Sequence, residues 1–331
     1  MKNKILTVKV AACNVSKYLD ECLDVFADKK LEEMLEVLIV VNESIDNSLD
    51  IALSYQNKYP EIFKVISNGK NNYASTYNVG FNLATGKYWT SLDGDDSIEK
   101  DKLFEYLMFL KECNSDMIVS EWMQFDGEGK QKLKHYYDGF TENEYQFAEI
   151  AKTIKFVEIF AFTIKTCIIQ ENKIQIDEQS PFASDVKTVA YCMPYVETVA
   201  FFHKDLKKYR RHSAQATSNI KTLMRSQKSF EDSAIKILDF IDGLSSEAVR
   251  TYLMRRVYSM VALPYRNFLL LPYNNENVKE LRKYNEQIKN HRVKINNNIL
   301  NDFIAFCPKT MHYLLGPIYK IYKKLSKWLV V

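Results

Sequence analysis

Asp93, Asp95 and Asp96 fall within four consecutive positions, with Gly94 inside the run. The residues that lead into them, 88–92 (YWTSL), read as a strand. Like charges held together cost free energy unless a positive charge offsets them. A divalent cation does this well, because Mg2+ and Mn2+ prefer hard oxygen ligands. The other reading is a turn plus a helix cap, with Asp96 or Ser97 capping the helix that follows. The local sequence leaves both open.

A cluster of this kind needs a scaffold. Residues 5–12 (ILTVKVAA) read as a first strand. Residues 36–41 (EVLIVV) are nearly all apolar and read as a strand buried on both faces. Residues 63–66, 87–92 and 116–120 supply three more. Apolar residues at three- and four-residue spacing predict helices between them. Leu19, Cys22, Leu23 and Phe26 mark the first, with Ser16 as its cap. Leu49, Ala52 and Leu53 mark the second, capped by Asp46 or Asn47. A third covers 74–84, and Leu103, Leu107 and Leu110 mark a fourth. This alternation predicts an α/β fold with a mostly parallel central sheet flanked by helices. Such sheets bind ligands at the carboxyl ends of their strands. Four polar loops occupy those ends, 13–18, 42–46, 68–72 and 93–96, and Asn72 closes the third.

Beyond residue 120 the pattern changes. Trp122, Phe125, Tyr136, Tyr137 and Phe140 predict an antiparallel hairpin. A helix is expected within 145–170, followed by Phe160-Ala-Phe-Thr-Ile-Lys165, and another helix at 185–192, after the polar turn 181–185. A strand at 195–203 leads to Tyr209-Arg-Arg-His212, a basic aromatic cluster. The remainder reads as helices at 218–241, 245–262, 276–289, 296–306 and 311–329, broken at Leu269-Leu-Leu-Pro272. The expected organisation is a sheet domain over 1–217 and a helical region over 218–331. Residues 311–331 contain four lysines and no acid, with Ile318, Ile321, Tyr322, Leu325, Trp328 and Leu329 in an apolar stripe. That is the pattern of an interfacial helix, or of a helix packed on its own domain or on a partner subunit.

Composition narrows the function classes. Of 331 residues, 47% are hydrophobic and 26% charged, and the net charge of +3 is too small to mark a nucleic-acid binder. Six scattered cysteines form no CxxC pair, which disfavours a zinc knuckle and fits a reduced cytosolic setting. The opening residues are too short and polar for a secretory leader, and no segment approaches membrane-spanning length. Neither a Walker A sequence nor GxGxxG occurs. Four of the nine glycines (Gly69, Gly80, Gly86, Gly94) cluster near the acids, suggesting backbone demands around a site.

Three stretches in order, TVKVAACNVSKYLDECLD, IVVNESIDNSLDIA and NNYASTYNVGFNLATGKYWTSLDGDD, together with PFASDV further on, carry a resemblance. Over roughly residues 4–215 the chain resembles family 2 glycosyltransferases of the bacterial surface-polysaccharide type. The resemblance implies a GT-A, Rossmann-like fold and transfer of a sugar from a nucleotide-diphospho-sugar, UDP-sugars being favoured. It implies a saccharide or lipid-linked saccharide acceptor and no nucleic acid. Asp95 and Asp93 would hold Mn2+ or Mg2+. Ala11, Ala12 and Asn14 would lie beside the base or ribose, and Asp93 would approach the ribose or the metal. Asp185 would be the general base of an inverting transfer. Arg210, Arg211 or His212 would meet the diphosphate.

The departures are specific. Cys13 stands where the family has tyrosine, and Val41-Asn42-Glu43 where it has Asp-Asp-Gly. Asn42 would present an amide oxygen to a base N–H, and Glu43 would supply a carboxylate one position later. Tyr77 replaces an arginine, a loss that Lys70 could offset, and Ser184 replaces a glutamate. The expected setting is cytoplasmic and peripheral at the inner face of the plasma membrane, through residues 311–331. A homo-oligomer is compatible with the helical third. Two alternatives stay open: a non-catalytic or altered-specificity protein on the same fold, and a nucleotidyltransferase, although the 11–18 loop is neither glycine-rich nor basic.

Overall fold

The computed structural model describes residues 4–126, 131–134, 137–212, 226–291, 304 and 307–325. It divides into two compact units, Met1–Arg211 and His212–Val331. The expected boundary after residue 217 and the expected helix over 296–306 lie essentially outside the described residues.

The first unit alternates strands and helices: β1 (Leu6–Ala12), α1 (Ser16–Asp24), β2 (Leu35–Val41), α2 (Ser48–Lys58), β3 (Phe63–Ser67), α3 (Tyr73–Leu83) and β4 (Tyr88–Asp93). Then come β5 (Ser97–Ile98), α4 (Lys100–Glu112), β6 (Met117–Asp126), β7 (Gln131–Lys134), β8 (Tyr145–Gln146), α5 (Phe147–Ile150), β9 (Phe162–Lys165), α6 (Thr166–Glu171), α7 (Ser184–Cys192) and β10 (Thr198–Arg211). The sheet runs β3-β2-β1-β4-β9-β6-β10-β5, with β7 on β6 and β8 on β10. β3, β2, β1 and β4 are mutually parallel. β9 enters antiparallel between β4 and β6. β6 and β10 are again parallel. The mostly parallel sheet expected from the sequence is thus present, as is the β6–β7 hairpin.

Burial on both faces explains the composition of the inner strands. Every residue of β1 is buried, and so is every residue of β2 except Glu36. Leu6, Val8, Val10 and Ala12 face a core shared with Leu19, Cys22, Leu23, Leu103 and Leu107. Strand alternation sends Thr7, Lys9 and Ala11 the other way. Lys9 there lies against α3, where Gly80 makes room: a Cβ at 80 would stand 2.7 Å from Lys9 Cγ.

Three local expectations change. Ser16 begins α1, but its N-cap is Val15 and no side chain caps it. The helix expected within 145–170 is only the short α5, and the segment 160–165 that follows it supplies β9 and leads into a second short helix, α6. The strand expected at 195–203 continues to Arg211, through register shifts on either side of Asp205.

The second unit contains α8 (Gln227–Asp242), α9 (Glu247–Phe268), α10 (Asn275–Lys289) and α11 (Pro308–Leu325). Ser246 caps α9 through Val249 N, and Asn274 caps α10 through Asn277 N. Ile237, Leu238, Ile241, Leu253, Val257, Tyr265, Leu281 and Tyr284 are buried at helical spacing. α9 continues six residues past its expected end, through Pro264, and stops before Leu269-Leu-Leu-Pro272.

Candidate active site

The parallel strands converge at their carboxyl ends. Ala11 sits beside Asp93 in register, and the Ala11 carbonyl accepts from Gly94 N at 2.8 Å. A Cβ at Gly94 would stand 3.0 Å from that same carbonyl, so the close approach requires glycine. The turn then delivers three acids to one place. One carboxylate oxygen from each of Asp93, Asp95 and Asp96 lies within 4.8 Å of the others.

Asp96 is not a helix cap. The N-cap of α4 is Glu99, and Asp96 is buried, with Oδ1 accepting from Arg210 N at 2.8 Å. Its Oδ2 is buried and has no hydrogen-bond partner among the described residues. Burial first, and the Asp95 and Asp93 charges next, push the Asp96 carboxyl well above its usual range. Burial also raises Asp93, from 3.8 to about 6, although Lys9 opposes the shift. An orphaned buried oxygen within a set of hard donors fits a divalent cation. Asp93, Asp95 and Asp96 are the residues that would hold it.

Two buried lysines lie beneath the acids. Lys207 Nζ donates to Thr90 Oγ1 at 2.7 Å and to the Ser91 carbonyl at 3.0 Å. Burial lowers it to about 7, against the pull of Asp96. Lys9 is lowered to about 8, again by burial, with Asp93 opposing. Tyr73 connects the layers: its hydroxyl donates to Asp93 Oδ1 at 2.6 Å and lies 3.3 Å from Tyr77 Oη.

The loop residues interlock rather than hang free. Asn14 adopts a left-handed backbone, φ 54°. Its N–H donates to Ser44 Oγ at 3.2 Å, and its Oδ1 accepts from Ile45 N at 2.8 Å. The N-cap of α2 is Asn47, and Asp46 before it accepts from Ser16 N and Ser48 N, so it ties the first residues of α1 and α2 together. Burial alone would raise Asp46, but hydrogen bonds from Ser48 and Ser16 hold it below the usual carboxylate range. Asn42 is buried, with Oδ1 accepting from Asn68 Nδ2 at 2.7 Å. Glu43 is exposed at the rim. Asn72 caps α3 through Ala74 N, and its Nδ2 donates to the Glu178 carbonyl at 2.8 Å. Lys70 is paired with Glu178 at 2.8 Å, so the positive charge beside Asp93 comes from Lys9.

Asp185 lies in the first turn of α7, where an acid also suits the helix dipole. Ala183, before it, is left-handed at φ 55°, and Ser184 Oγ donates to the Pro181 carbonyl at 2.6 Å. Asp185 is close enough that its charge helps raise Asp93 and Tyr77. Arg210 is anchored rather than open. Its Nε donates to the Asp95 carbonyl at 2.8 Å, and its guanidinium pairs with Glu21 at 2.6 Å. His212 begins the second unit.

Lys9, Lys207 and Tyr73 complete the site beyond the residues singled out from sequence, and Asp96 joins the acid set instead of capping a helix. Lys9 had a signal, a lysine in the middle of an apolar strand. Lys207 had none, because the register shifts of β10 break the alternation that would mark it as inward.

Sheet order, crossing strands and acid cluster together define the GT-A class of nucleotide-sugar transferase folds. Residues 7–169 match the model of glycosyl transferase family 2, and this part of the chain belongs to that family. A curated relative, an uncharacterized glycosyltransferase of Haemophilus influenzae, is 22% identical over 221 residues, covering 65% of this chain and 68% of its own. Residues 1–349 of S. aureus TarS, solved with UDP, superpose with a TM-score of 0.68 at 18% identity, covering 97% of this chain and 91% of that one. The same TarS fragment with UDP-GlcNAc also gives 0.68, at 17% identity and 97% and 92% coverage. A mannosyltransferase of Pyrobaculum calidifontis, PcManGT, in complex with GDP-Man and Mn2+, gives 0.53 at 12% identity, covering 98% and 86%.

Proposed function

We propose that this chain is a divalent-cation-dependent, inverting glycosyltransferase that moves a sugar from a UDP-sugar to a hydroxyl of a saccharide or lipid-linked saccharide. The observation that carries this is the carboxylate trio Asp93, Asp95 and Asp96, with Asp185 in the first turn of α7, from where its charge helps raise Asp93. UDP and UDP-GlcNAc in the TarS structures support the donor class, and Mn2+ in PcManGT supports the cation.

Asp185 takes the proton from the acceptor hydroxyl as that oxygen attacks the anomeric carbon. The bond from that carbon to the diphosphate oxygen breaks, and its electron pair leaves with the nucleoside diphosphate. A bound Mn2+ or Mg2+ supplies Lewis acidity to that leaving group. Asp93 and Asp95 hold the cation, and Asp96 completes the set. Arg210, tied to the Asp95 carbonyl, fixes the turn that aims Asp95. Asn42 keeps a second lone pair on Oδ1 for a base N–H. All six cysteines are free, which supports a reducing, cytoplasmic setting.

The test is a panel of UDP- and GDP-sugars with Mn2+ or with EDTA. Nucleoside-diphosphate release and the anomeric configuration of any product are followed. UDP-sugar turnover that is lost with EDTA and in Asp95→Asn is expected. If no nucleotide-sugar binds or turns over, the reading fails.

A further inference from the structure

α11 is apolar on both sides. Its inner side rests on the second unit's own chain. His312 Nε2 donates to the Leu271 carbonyl at 2.8 Å, and its ring packs on Phe268 and Tyr273. Gly316 lets the helix approach closely, since a Cβ there would stand 3.1 Å from the Leu269 carbonyl. A helix so seated should show polar residues to solvent. Instead Tyr313, Leu314, Ile318 and Ile321 remain 63%, 61%, 62% and 57% exposed. Leu314, Ile318 and Ile321 follow the four-then-three spacing of one helical face, away from His312 and Gly316. Four large apolar side chains at this exposure on one helix form a patch rather than scattered surface residues.

The charge around the patch is of one sign. Lys309 and Lys320 are exposed, about three turns apart, and so fall on the same border of the apolar face. The sequence adds Lys323, Lys324 and Lys327, and no acid follows Asp302. A second copy of α11 laid across the face would bring like charges together. An anionic lipid surface meets both features at once, apolar side chains entering between headgroups and lysines at their phosphates. Spanning the bilayer is a different matter, because no described helix is long and apolar enough for it.

We propose that the outward face of α11, carried by Tyr313, Leu314, Ile318 and Ile321 and bordered by Lys309 and Lys320, docks on an anionic membrane surface with the helix axis in its plane. The inference does not depend on the donor or the reaction, and its readout is binding alone.

The experiment is co-sedimentation of the full chain with phosphatidylcholine vesicles, with and without a third of phosphatidylglycerol. The expected result is binding to the anionic vesicles at least about tenfold stronger than to neutral ones, and weakened by high salt. Leu314→Ser with Ile318→Ser should lower binding to anionic vesicles about tenfold or more. Lys309→Glu with Lys320→Glu, which leaves the apolar face intact, should lower it several-fold. The first pair's melting curve is recorded beside the second's, so that one folded variant always reports. Undiminished binding in a folded variant of either pair overturns the proposal, as does no binding of the native chain to anionic vesicles. A concentration-dependent dimer that Ile318→Ser dissociates also overturns it, because the face is then a self-interface.

Discussion

Lys9 Nζ stands 4.0 Å from the centre of the Tyr77 ring, and among the described residues it has no hydrogen-bond acceptor. A fully buried ammonium without an acceptor is costly. The two tyrosines of α3 offset part of that cost, with Tyr73 at 5.2 Å as the second ring. Asp93 offsets more, since each charge favours the other's charged form. Tyr77 occupies the place where the family carries arginine. The positive charge near the cation site thus comes from beneath, on β1, rather than from α3.

Lys9→Met tests this placement. Methionine fills the volume without the charge, so the packing should hold, but Asp93 loses its buried counter-charge and the melting temperature should fall where Asp93 is ionised. The Asp93 carboxyl should then titrate higher, and Mn2+ binding should weaken most below neutral pH. A loss of about tenfold at pH 6.5, shrinking at pH 8, corresponds to a shift of about one pKa unit. Calorimetric Mn2+ titrations at the two pH values measure it. Equal affinities for native and variant protein at both would remove Lys9 from the cation site.

The metal-free protein should show an unusual stability profile. The folded pKa of Asp93, about 6, exceeds its ordinary 3.8. Between those values the folded state binds more protons than the unfolded one, so stability from this group is full at low pH and is lost as pH rises through 6. Lys207 and Lys9 are depressed to about 7 and about 8 from 10.5. Their contribution is full above 10.5 and is lost as pH falls through those values. The cluster is therefore least favourable between about 6 and 7. Melting curves in EDTA should show a dip there, which Mn2+ fills and Asp93→Asn flattens. A native profile that Asp93→Asn leaves unchanged would count against the buried-charge account.

Much of this was legible in the sequence, and the limits are physical. Apolar runs and helical spacing located β1 to β4 and the helices between them, because β1, β2 and β4 are buried on both faces. The acid run placed Asp93 and Asp95 at a strand end. β9 falls in residues 160–165, which the sequence set apart after a helix, but four residues, FTIK, carry too little period to reveal an antiparallel insertion. Asp96 read as a cap because Ser97 and a helix follow. Its real partner, Arg210 N, is more than a hundred positions away.

Asp185→Asn should separate binding from chemistry. The amide keeps size and hydrogen bonding but cannot accept the acceptor's proton at neutral pH. A general base contributes about 10² to 10⁴ in rate. The variant should lose that in kcat, while its affinity for the UDP-sugar stays within about threefold of native. Steady-state kinetics with a donor titration by calorimetry give both numbers. A loss in donor affinity with kcat intact would make Asp185 a binding group instead.

Gly80→Ala should reveal how tightly Lys9 is enclosed. In a helix interior alanine is ordinarily better than glycine by about 1 kcal/mol. At position 80 the new methyl would stand 2.7 Å from Lys9 Cγ, 3.1 Å from its Cβ and 3.2 Å from Trp89 Nε1. Overpacking of this kind costs about 1 to 3 kcal/mol, so the sign should reverse and the protein should lose stability. Lys9→Ala removes the nearest of those atoms. Combined with Gly80→Ala it should be more stable than the sum of the single changes, by about 1 kcal/mol or more. Urea unfolding of the four proteins in the cycle measures the coupling. An additive result would mean that β1 and α3 yield at this contact, and that Lys9 is not held in place by the absence of a side chain at 80.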